Sequence, residues 1–206
     1  IDAQCYSPLA LFYEKWLLRH GSSIPLSLLL EGTAKGRQQT DSEAGTVDYC
    51  SIKHISSHEI ANASKCYPKP DTPLATTNDL LLAVTGATIG KIGIVRRYSQ
   101  LAYSGDLLRM RANNRINPYF LLLALEHPLG QVQFNRWITG STNGHLAPRD
   151  VGRVLVPRIP EDAEAKISEM VRESINLRQE SETLLEQAKT RVEQMIEEAV
   201  QHETLA

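Results

Sequence analysis

The chain has 206 residues, 42% of them hydrophobic, and a formal net charge of −2. This length and composition support one medium-sized domain with an appendage, and no apolar run is long enough to span a membrane. The three cysteines lack the spacing of a structural zinc site and are too few for a disulfide framework. Buried thiols without a chemical role are the better interpretation of Cys5, Cys50 and Cys66.

The small net charge hides an uneven distribution along the chain. Residues 1–160 carry 17 Lys and Arg against 12 Asp and Glu, a net of +5, whereas residues 161–206 carry 5 against 12, a net of −7. The basic part can attract phosphate groups, and the acidic part is expected to lie away from nucleic acid. The chain starts with Ile and shows no basic leader, so we expect a segment of a cytoplasmic protein with sequence missing upstream.

The first predicted element is a helix that begins at Ser7 and Pro8. Ser is a favoured capping residue, proline suits the first helical turn, and Gly21 is expected to end the helix. Apolar residues recur at helical spacing at Leu9, Phe12, Trp16 and Leu17. A structural role is predicted for this helix.

Residues 32–73 form a polar region, interrupted by a predicted strand over residues 46–55. Long polar side chains here can contact phosphates or offer bidentate hydrogen bonds to base edges. The alternative is an ordinary solvated surface loop, which composition alone favours. The candidate nucleic-acid contacts in this region are Lys35, Arg37, Gln38, Gln39, Lys53, His54, Lys65 and Lys69, with Tyr67 as nearby stacking surface.

Apolar residues 80–84 and 92–95 flank a segment rich in Thr and Gly, which predicts two strands joined by a tight connection. The glycines Gly86, Gly90 and Gly93 allow a positive φ or a close approach of another chain segment.

Two nucleotide-binding patterns fail in this segment. Gly86 and Gly90 enclose only three residues and Ile92 follows Lys91, so the segment does not fit the phosphate-binding loop G-x-x-x-x-G-K-[ST]. A dinucleotide fingerprint requires a helix where the second strand is predicted.

Residues 107–111 predict a short strand, and Asn117 with Pro118 is typical of a helix start. This helix is predicted to run to His127, with a further turn or two to about Trp137. The run Asn-Pro-Tyr-Phe at residues 117–120 differs from the Asn-Pro-Pro-Tyr pattern of amino-methyltransferases. It lacks the second proline, and no glycine-rich S-adenosylmethionine loop precedes it.

Residues 139–145 concentrate hydroxyl, amide and glycine groups. His145 has no nearby Asp or Glu for a hydrolytic site, so loop hydrogen bonding is predicted, with bracing of the central hairpin as an equal alternative. None of the six histidines shows metal-ligand spacing. We therefore predict no catalytic residue, no metal and no cofactor.

From residue 162 to about residue 202 the chain lacks Gly and Pro, and its apolar residues recur at threes and fours, which predicts one long helix. About 40 residues at ~1.5 Å each give about 60 Å, more than a compact domain of this size can cover. A coiled coil or helical pair, with a second copy or another chain, would bury the stripe. The predicted dimerisation residues are Ile167, Val171, Leu177, Leu184, Ala188, Val192 and Met195.

The run Thr-Gly-Ala-Thr-Ile-Gly-Lys-Ile-Gly at residues 85–93 resembles the hallmark of target recognition domains in specificity subunits of type I restriction-modification enzymes. Further segments fall in the order of that family, so the resemblance covers nearly the whole chain. Residues 1–8 resemble its domain start, residues 104–111 and 116–121 its middle, and residues 139–146 and 154–157 with the long helix its close.

The resemblance implies an α/β (α+β) fold: a mixed-sheet DNA target recognition domain over residues 1–160, then one long helix of the coiled-coil type over residues 161–206. It favours DNA contact by the polar region, because the family varies most in the segments that read DNA. The contact set then also includes Thr85, Thr88, Lys91, Asn143 and His145.

The resemblance implies a DNA specificity component without catalysis of its own, whose partner methyltransferase and nuclease subunits act on double-stranded DNA. In this family two recognition domains are separated by two antiparallel helices that set the distance between half-sites. One domain and one helix would rebuild that layout as a homodimer and predict a symmetric, interrupted site. Residues 157–167 lack the Gln-Ile pair usual where the helix begins.

Three alternatives remain open at this point. The chain can be half of a two-domain subunit, or the recognition region of a fused methyltransferase or restriction enzyme. It can also be a structural adaptor that does not bind DNA and works through its acidic helix.

Overall fold

The structure is a computed structural model that describes residues 7–20, 22–56, 58–140 and 143–204. Cys5 and the segment that resembles a domain start lie largely outside the described residues. The chain divides into two compact units, Ile1–Glu169 and Met170–Ala206.

The described α-helices are α1 (Pro8–His20), α2 (Pro118–Glu126), α3 (Pro128–Trp137), α4 (Pro148–Val151) and α5 (Glu161–Thr204). The first four begin with proline, whose φ is already helical. The Asn117 side chain accepts a hydrogen bond from the Tyr119 amide at 2.9 Å and so caps α2. The predictions of α1, α2, α3 and α5 are confirmed. None of the described helices is both long and apolar enough to cross a membrane.

The described strands are β1 (Ser22–Pro25), β2 (Leu30–Lys35), β3 (Val47–Cys50), β4 (Ile55–Ser56), β5 (Glu59–Ile60), β6 (Ser64–Cys66), β7 (Leu74–Ala75), β8 (Leu80–Ala83), β9 (Ile92–Ile94), β10 (Leu101–Tyr103), β11 (Leu107–Ala112), β12 (Ile138–Thr139), β13 (His145–Leu146) and β14 (Leu155–Arg158). They form a six-stranded sheet in the order β2-β11-β8-β9-β5-β4, a four-stranded sheet in the order β6-β3-β10-β7, and the pairs β1-β14 and β12-β13.

Both larger sheets are mixed. Strand β10 is parallel to β3 and antiparallel to β7, and β9 is parallel to β5 and antiparallel to β8. The predicted α+β fold, with mixed sheets and one long C-terminal helix, is confirmed.

The predicted central hairpin is β8 and β9, in the middle of the six-stranded sheet, with Leu82 opposite Ile92. All four residues of β8 are buried, which explains why this run is apolar throughout instead of alternating. A Cβ at Gly93 would lie 3.1 Å from the Glu59 carbonyl oxygen, so glycine lets β5 pair closely beside β9.

One part of the core lies between the two larger sheets. One buried cluster combines side chains from both sheets, including Cys50, Tyr103, Ile55, Leu81 and Leu107. Complete burial of a large apolar side chain contributes about 1.5–3 kcal/mol. The cluster therefore holds the sheets together.

The predicted strand over residues 46–55 is wrong after Cys50. A 3-10 turn, Ile52–His54, separates β3 from β4. The Ser51 amide donates to His54 Nδ1 at 3.0 Å, and the His54 amide donates to the Ser51 carbonyl at 3.0 Å. These local bonds satisfy the backbone of the turn and end the strand pairing.

A buried carboxylate ties β11 to the segment before β8. Asp79 is 1% exposed, and Arg111 donates to it from two nitrogens, each at 2.8 Å. The Thr76 amide donates to the same carboxylate at 2.8 Å. The hydrogen bond to Asp79 is the main cause that raises the pKa of Arg111.

Candidate nucleic-acid interface

Gln39 joins two polar loops, residues 36–40 after β2 and residues 67–73 after β6, called the paired loops below. Its amide nitrogen donates to the Arg37 carbonyl and to Thr72 Oγ1, both at 3.0 Å. Its amide oxygen accepts from the Lys69 backbone N–H at 3.1 Å. Gln39 is buried, so its side chain holds the loops together from inside.

The first of the paired loops is anchored on the sheets beneath it. The Arg37 amide donates to the Tyr103 carbonyl at 2.9 Å. A Cβ at Gly36 would lie 2.2 Å from the Ser104 carbonyl oxygen, so this approach requires glycine. Burial raises the pKa of Tyr103 to about 12, and its neutral hydroxyl donates to the Ala34 carbonyl at 3.3 Å.

The paired loops present Arg37, Gln38 and Lys69 at the surface, and all three are exposed. The Arg37 guanidinium donates to the Pro70 carbonyl at 2.7 Å, and Lys69 Nζ donates to the Gln38 carbonyl at 3.0 Å. An arginine has five N–H donors and a lysine three, so these contacts use only part of their capacity. The result is an exposed group of two cations and one amide, with exposed Lys35 at the end of β2.

A second group of candidates meets at the 3-10 turn after β3. Lys91 Nζ donates to the Ile52 carbonyl at 3.4 Å, which places Lys91 beside Lys53. Lys53 is exposed and lies 3.6 Å from the Asp41 carboxylate. His54 is buried instead, and this burial, with a smaller contribution from Lys53, lowers its pKa. Its neutral ring accepts the hydrogen bond from the Ser51 amide and so stabilises the turn.

The tip of the central hairpin, residues 84–91, has the backbone form that its glycines predict. Gly86 has φ +83° and Gly90 has φ +94°. Thr85 forms a β-bridge with His145, and the Gly86 amide donates to the Gly144 carbonyl at 3.0 Å. The predicted bracing of the hairpin by residues 139–145 is confirmed for Gly144 and His145.

The polar side chains around this tip differ in exposure. Thr88, Lys91 and Asn143 are exposed, whereas Thr85 and His145 are half-buried. These five residues and Lys53 form a second polar surface. It is built from other segments of the chain than the paired loops.

Lys65 lies near the Asp41 carboxylate, which also pairs with Lys53 of the second group. It is exposed on β6 and lines a cavity of about 370 Å³ together with Asp41 and Glu43. The two carboxylates reduce the attraction of this cavity for phosphate.

The sequence reasoning missed a stacked basic cluster around Trp137. The guanidinium carbons of Arg136 and Arg153 lie 4.9 Å and 5.0 Å from the centre of its ring system. Arg149 and Arg153 are mostly exposed and approach Asp150 at 3.7 Å and 3.2 Å. Three arginines and one tryptophan within residues 136–153 were the available signal in the sequence. Thr72 and Pro70 gave none, because their partners lie 33 residues away.

Within the described ranges, no group of three His, Cys, Asp or Glu side chains could hold a metal ion. Cys50 and Cys66 are buried free thiols, and burial raises the pKa of Cys50 to about 12. His58 hydrogen-bonds Glu126, whose pKa is raised by burial more than the histidine lowers it.

The predicted dimerisation residues differ in exposure along α5. Leu177, Leu184, Val192 and Met195 are more than half exposed. Ala188 is also exposed, and Ile167 and Val171 are half-buried. At the start of α5, Arg158 holds the buried Glu164 carboxylate through two hydrogen bonds of 2.7 Å and 2.8 Å.

No protein-family model and no curated protein matches the sequence. Solved structures do match its fold. An S subunit of a type I restriction-modification system from M. genitalium gives a TM-score of 0.54 at 12% identity, covering 74% of this chain and 38% of that chain. The HsdS subunit from Thermoanaerobacter tengcongensis gives 0.56 at 14% identity, covering 83% and 44%.

The type IIG restriction endonuclease BpuSI gives a TM-score of 0.58 at 10% identity, covering 82% of this chain and 28% of that chain. The chain thus spans less than half the length of each of these three proteins. At sequence identities this low, the structural match establishes the fold alone. The chain has the fold of the S subunits of type I restriction-modification systems.

Proposed function

We propose that the chain is the sequence-specific DNA-binding specificity component of a restriction-modification system. The observation that carries this proposal is the set of paired loops, in which the buried Gln39 side chain hydrogen-bonds the Arg37 carbonyl, Thr72 Oγ1 and the Lys69 N–H and so orders the backbone that presents Arg37, Gln38 and Lys69. Donors positioned before binding lose less conformational entropy when a ligand arrives. The net charge of +5 over residues 1–160 favours a phosphate-bearing partner.

Each side chain has a role in the proposed complex. Arg37, Lys69 and Lys35 neutralise phosphates and fix the position of the duplex. The Gln38 amide reads a base edge, for which a carboxamide offers a donor and an acceptor. Gln39 acts indirectly, because its amide is already used inside the paired loops.

The tip of the central hairpin and the turn after β3 form the second contact in this proposal. Thr88, Lys91, Lys53 and Asn143 are exposed there and reach phosphates or bases. His54 supports this contact from within the turn, since its ring is buried and its Nδ1 accepts a hydrogen bond from the Ser51 amide. Three further candidates complete the set: Thr85, His145 and, more remotely, Lys65.

In the proposed system, methyltransferase and restriction subunits supply the catalysis, and this chain directs them to their DNA site. The 44 residues of α5 extend for about 66 Å at ~1.5 Å each. A homodimer formed through the exposed apolar residues of α5 would hold two recognition domains at a distance set by that helix. It would read a symmetric, bipartite site with a spacer set by the helix.

Salt-dependent DNA binding tests this proposal. A target duplex is first selected from random double-stranded DNA on the purified chain, and affinity is then measured at several salt concentrations. The double substitution Arg37→Ala and Lys69→Ala should weaken binding about 10- to 100-fold. Two lost phosphate contacts should also reduce the logarithmic salt slope by about 2.

Lys166→Ala with Lys189→Ala is the matched control, because it removes the same charge from exposed positions of the acidic α5. It should leave DNA affinity unchanged. Equal losses in the two double variants would show a general charge effect, and no loss in the first would remove the paired loops from the interface.

A second candidate function is the recognition region of a fused methyltransferase or restriction enzyme. The match to BpuSI favours it, because one part of a long restriction endonuclease shares this fold. An antibody against the chain would give the size of the natural polypeptide by immunoblot. A band several times larger than 206 residues supports the fusion, about twice that size supports a two-domain subunit, and a band of matching size supports a separate component.

A further inference from the structure

Asn143 and Gly144 form an Asn-Gly dipeptide in the loop that braces the central hairpin. The sequence has eight asparagines, and Asn143 is the one that precedes a glycine. Glycine has no Cβ, so its backbone nitrogen can approach the side chain of the preceding residue closely. Attack by that nitrogen on the asparagine carboxamide is the step that begins deamidation. The dipeptide therefore has the composition of a site of covalent change.

The structure leaves both reacting groups of this dipeptide accessible. Asn143 is exposed, so water reaches its side chain. Within the described part of the chain, its carboxamide makes no hydrogen bond and the Gly144 N–H meets no acceptor. The Gly144 carbonyl is used instead and accepts the Gly86 N–H at 3.0 Å. The carboxamide can thus rotate towards a nitrogen that is able to lose its proton.

Three other exposed asparagines precede a nitrogen that is already engaged. They are Asn62, Asn78 and Asn114, followed by Ala63, Asp79 and Arg115. The N–H groups of these three successors donate, in that order, to the Tyr98 hydroxyl at 3.1 Å, the Thr76 carbonyl at 3.0 Å and Asn113 Oδ1 at 3.0 Å. Exposure alone therefore does not distinguish Asn143.

The remaining asparagines are held in other ways. Asn117 precedes Pro118, which has no N–H. The Asn113 carboxamide is fixed at both ends, because it donates to a backbone carbonyl at 3.1 Å and accepts from the Arg115 N–H at 3.0 Å. Two more lie inside helices, where the backbone is hydrogen-bonded: Asn135 in α3 and Asn176 in α5. Among the described asparagines, Asn143 combines exposure with an accessible carboxamide and an accessible N–H after it.

We propose that Asn143 is a deamidation site, with water as the co-reactant. The Gly144 nitrogen loses its proton and attacks Asn143 Cγ, so a bond between nitrogen and Cγ forms. The bond between Cγ and Nδ2 breaks, and the amide leaves with the proton as ammonia. Water then opens the cyclic imide at one of its two carbonyl carbons. Opening at Cγ gives aspartate, and opening at the main-chain carbonyl gives isoaspartate.

Both products change the second polar surface, to which Asn143 belongs. Each carries a carboxylate that is ionised at neutral pH and repels phosphate. Isoaspartate also lengthens the main chain by one carbon atom before Gly144, whose carbonyl holds the hairpin tip. The deamidation itself is independent of the proposed function, whereas its effect on DNA binding rests on that function.

Peptide mass spectrometry of the full chain tests the site. The native chain and the urea-unfolded chain are kept at pH 8, and deamidation at each asparagine is followed with time. Native Asn143 should convert at a rate within about 10-fold of the unfolded rate, because the fold gives it little local protection. Native Asn114 is the matched control, since it is exposed and should remain unconverted. Conversion should be slower at pH 6, because the Gly144 nitrogen must lose a proton.

Two results would overturn the site. One is a native rate at Asn143 below about a tenth of the unfolded rate, which would show that the loop protects the dipeptide. The other is equal conversion of Asn143 and Asn114 in the native chain, which would show that the hydrogen bond of the following N–H is irrelevant.

DNA affinity gives the second measurement. Converted wild-type chain, separated by anion exchange through its added charge, should bind the selected duplex about 3- to 10-fold more weakly than fresh chain. Asn143→Gln is the matched variant, because glutamine would have to form a larger ring and reacts far more slowly. After the same incubation it should keep the affinity that it had when fresh.

The outcomes separate this inference from the proposed function. Equal losses in the incubated wild-type and Asn143→Gln chains would overturn the effect of deamidation on DNA binding, and so would full affinity in the converted chain. Fresh chain that binds no DNA overturns the proposed function, and the mass measurement still decides whether Asn143 is the deamidation site.

Discussion

The globular unit and the distal part of α5 differ in the burial of their apolar side chains. All four residues of β8 are buried, whereas every described side chain from Glu180 to Glu198 is exposed. The globular unit carries its own core, and an isolated helix gains stability chiefly from packing an apolar face. The first unit therefore has an apolar core of its own, whereas the described side chains of the distal α5 have none.

Ion pairs show the same contrast. The Asp79 carboxylate is buried and receives three hydrogen bonds of 2.8 Å. Arg178 and Glu182 on α5 pair at 3.4 Å, with both side chains about half exposed. Breaking a buried pair leaves an uncompensated charge, while an exposed helical pair contributes about 0.3–0.5 kcal/mol.

Thiol chemistry provides the largest expected effect. The pKa of Cys50 is raised to about 12 from 9.0, which lowers its thiolate fraction near neutral pH about a thousand-fold. Alkylation of native Cys50 by iodoacetamide at pH 8 should be slower than in urea by at least this factor, and it should accelerate as the pH rises. Mass spectrometry of the alkylated peptide measures the rate. Equal rates in the native and unfolded chains would contradict the closed core.

Removal of the buried carboxylate should have the next largest effect. Asp79→Ala removes the carboxylate that Arg111 binds, leaving the Arg111 guanidinium its bond to Thr76 Oγ1, and should lower the free energy of unfolding by about 3–5 kcal/mol. Glu182→Ala, the exposed counterpart on α5, should change it by less than about 0.5 kcal/mol. Urea denaturation followed by circular dichroism measures both. A similar small loss in both variants would remove the contrast between the units.

A pair of leucines compares apolar burial in the two units. Leu81→Ala creates a cavity in the core and should cost about 2–5 kcal/mol of unfolding free energy at any protein concentration. Leu184→Ala removes an exposed side chain, so its effect should appear only as a weaker dimer. Denaturation at low and high protein concentration distinguishes them. A concentration-independent loss in Leu184→Ala would show that the helix is stabilised within its own chain.

The smallest stability effect is expected at the paired loops. Gln39→Ala removes the side-chain hydrogen bonds to the Arg37 carbonyl, Thr72 Oγ1 and the Lys69 N–H, at a cost of about 1–3 kcal/mol. It should also weaken DNA binding, although Gln39 itself is buried, because Arg37 and Lys69 lose their fixed positions.

Gln38→Ala is the control at the neighbouring, exposed position. It should retain stability within about 0.5 kcal/mol and lose affinity mainly for the selected target over random DNA. Unchanged DNA binding in Gln39→Ala would show that the order of the paired loops is irrelevant to the interface.

Much of the fold could be predicted because its signals are local. The proline at the start of α2, the glycines of the central hairpin and the spacing of apolar residues in α5 each act within a few residues. The break after Cys50 was missed for a local reason too, since the bonds between Ser51 and His54 compete with strand pairing.

The candidate interface was predictable in composition and not in arrangement. Arg37, Gln38 and Lys69 were recognisable as long polar side chains near glycines. Gln39 has the same character, yet its amide is consumed inside the molecule by groups that lie 30 and 33 residues away. No pattern in the adjacent sequence distinguishes a glutamine that is exposed to solvent from one that is buried and joins two loops.

The sequence by itself determined the longer helices, the two strands of the central hairpin and the place where the hairpin turns, since periodicity and turn chemistry act over short distances. Only the tertiary structure decided which polar side chains are inside. The burial of Gln39, His54 and Asp79 depends on partners contributed by the surrounding structure. A polar side chain enters the interior only where such partners compensate its loss of water.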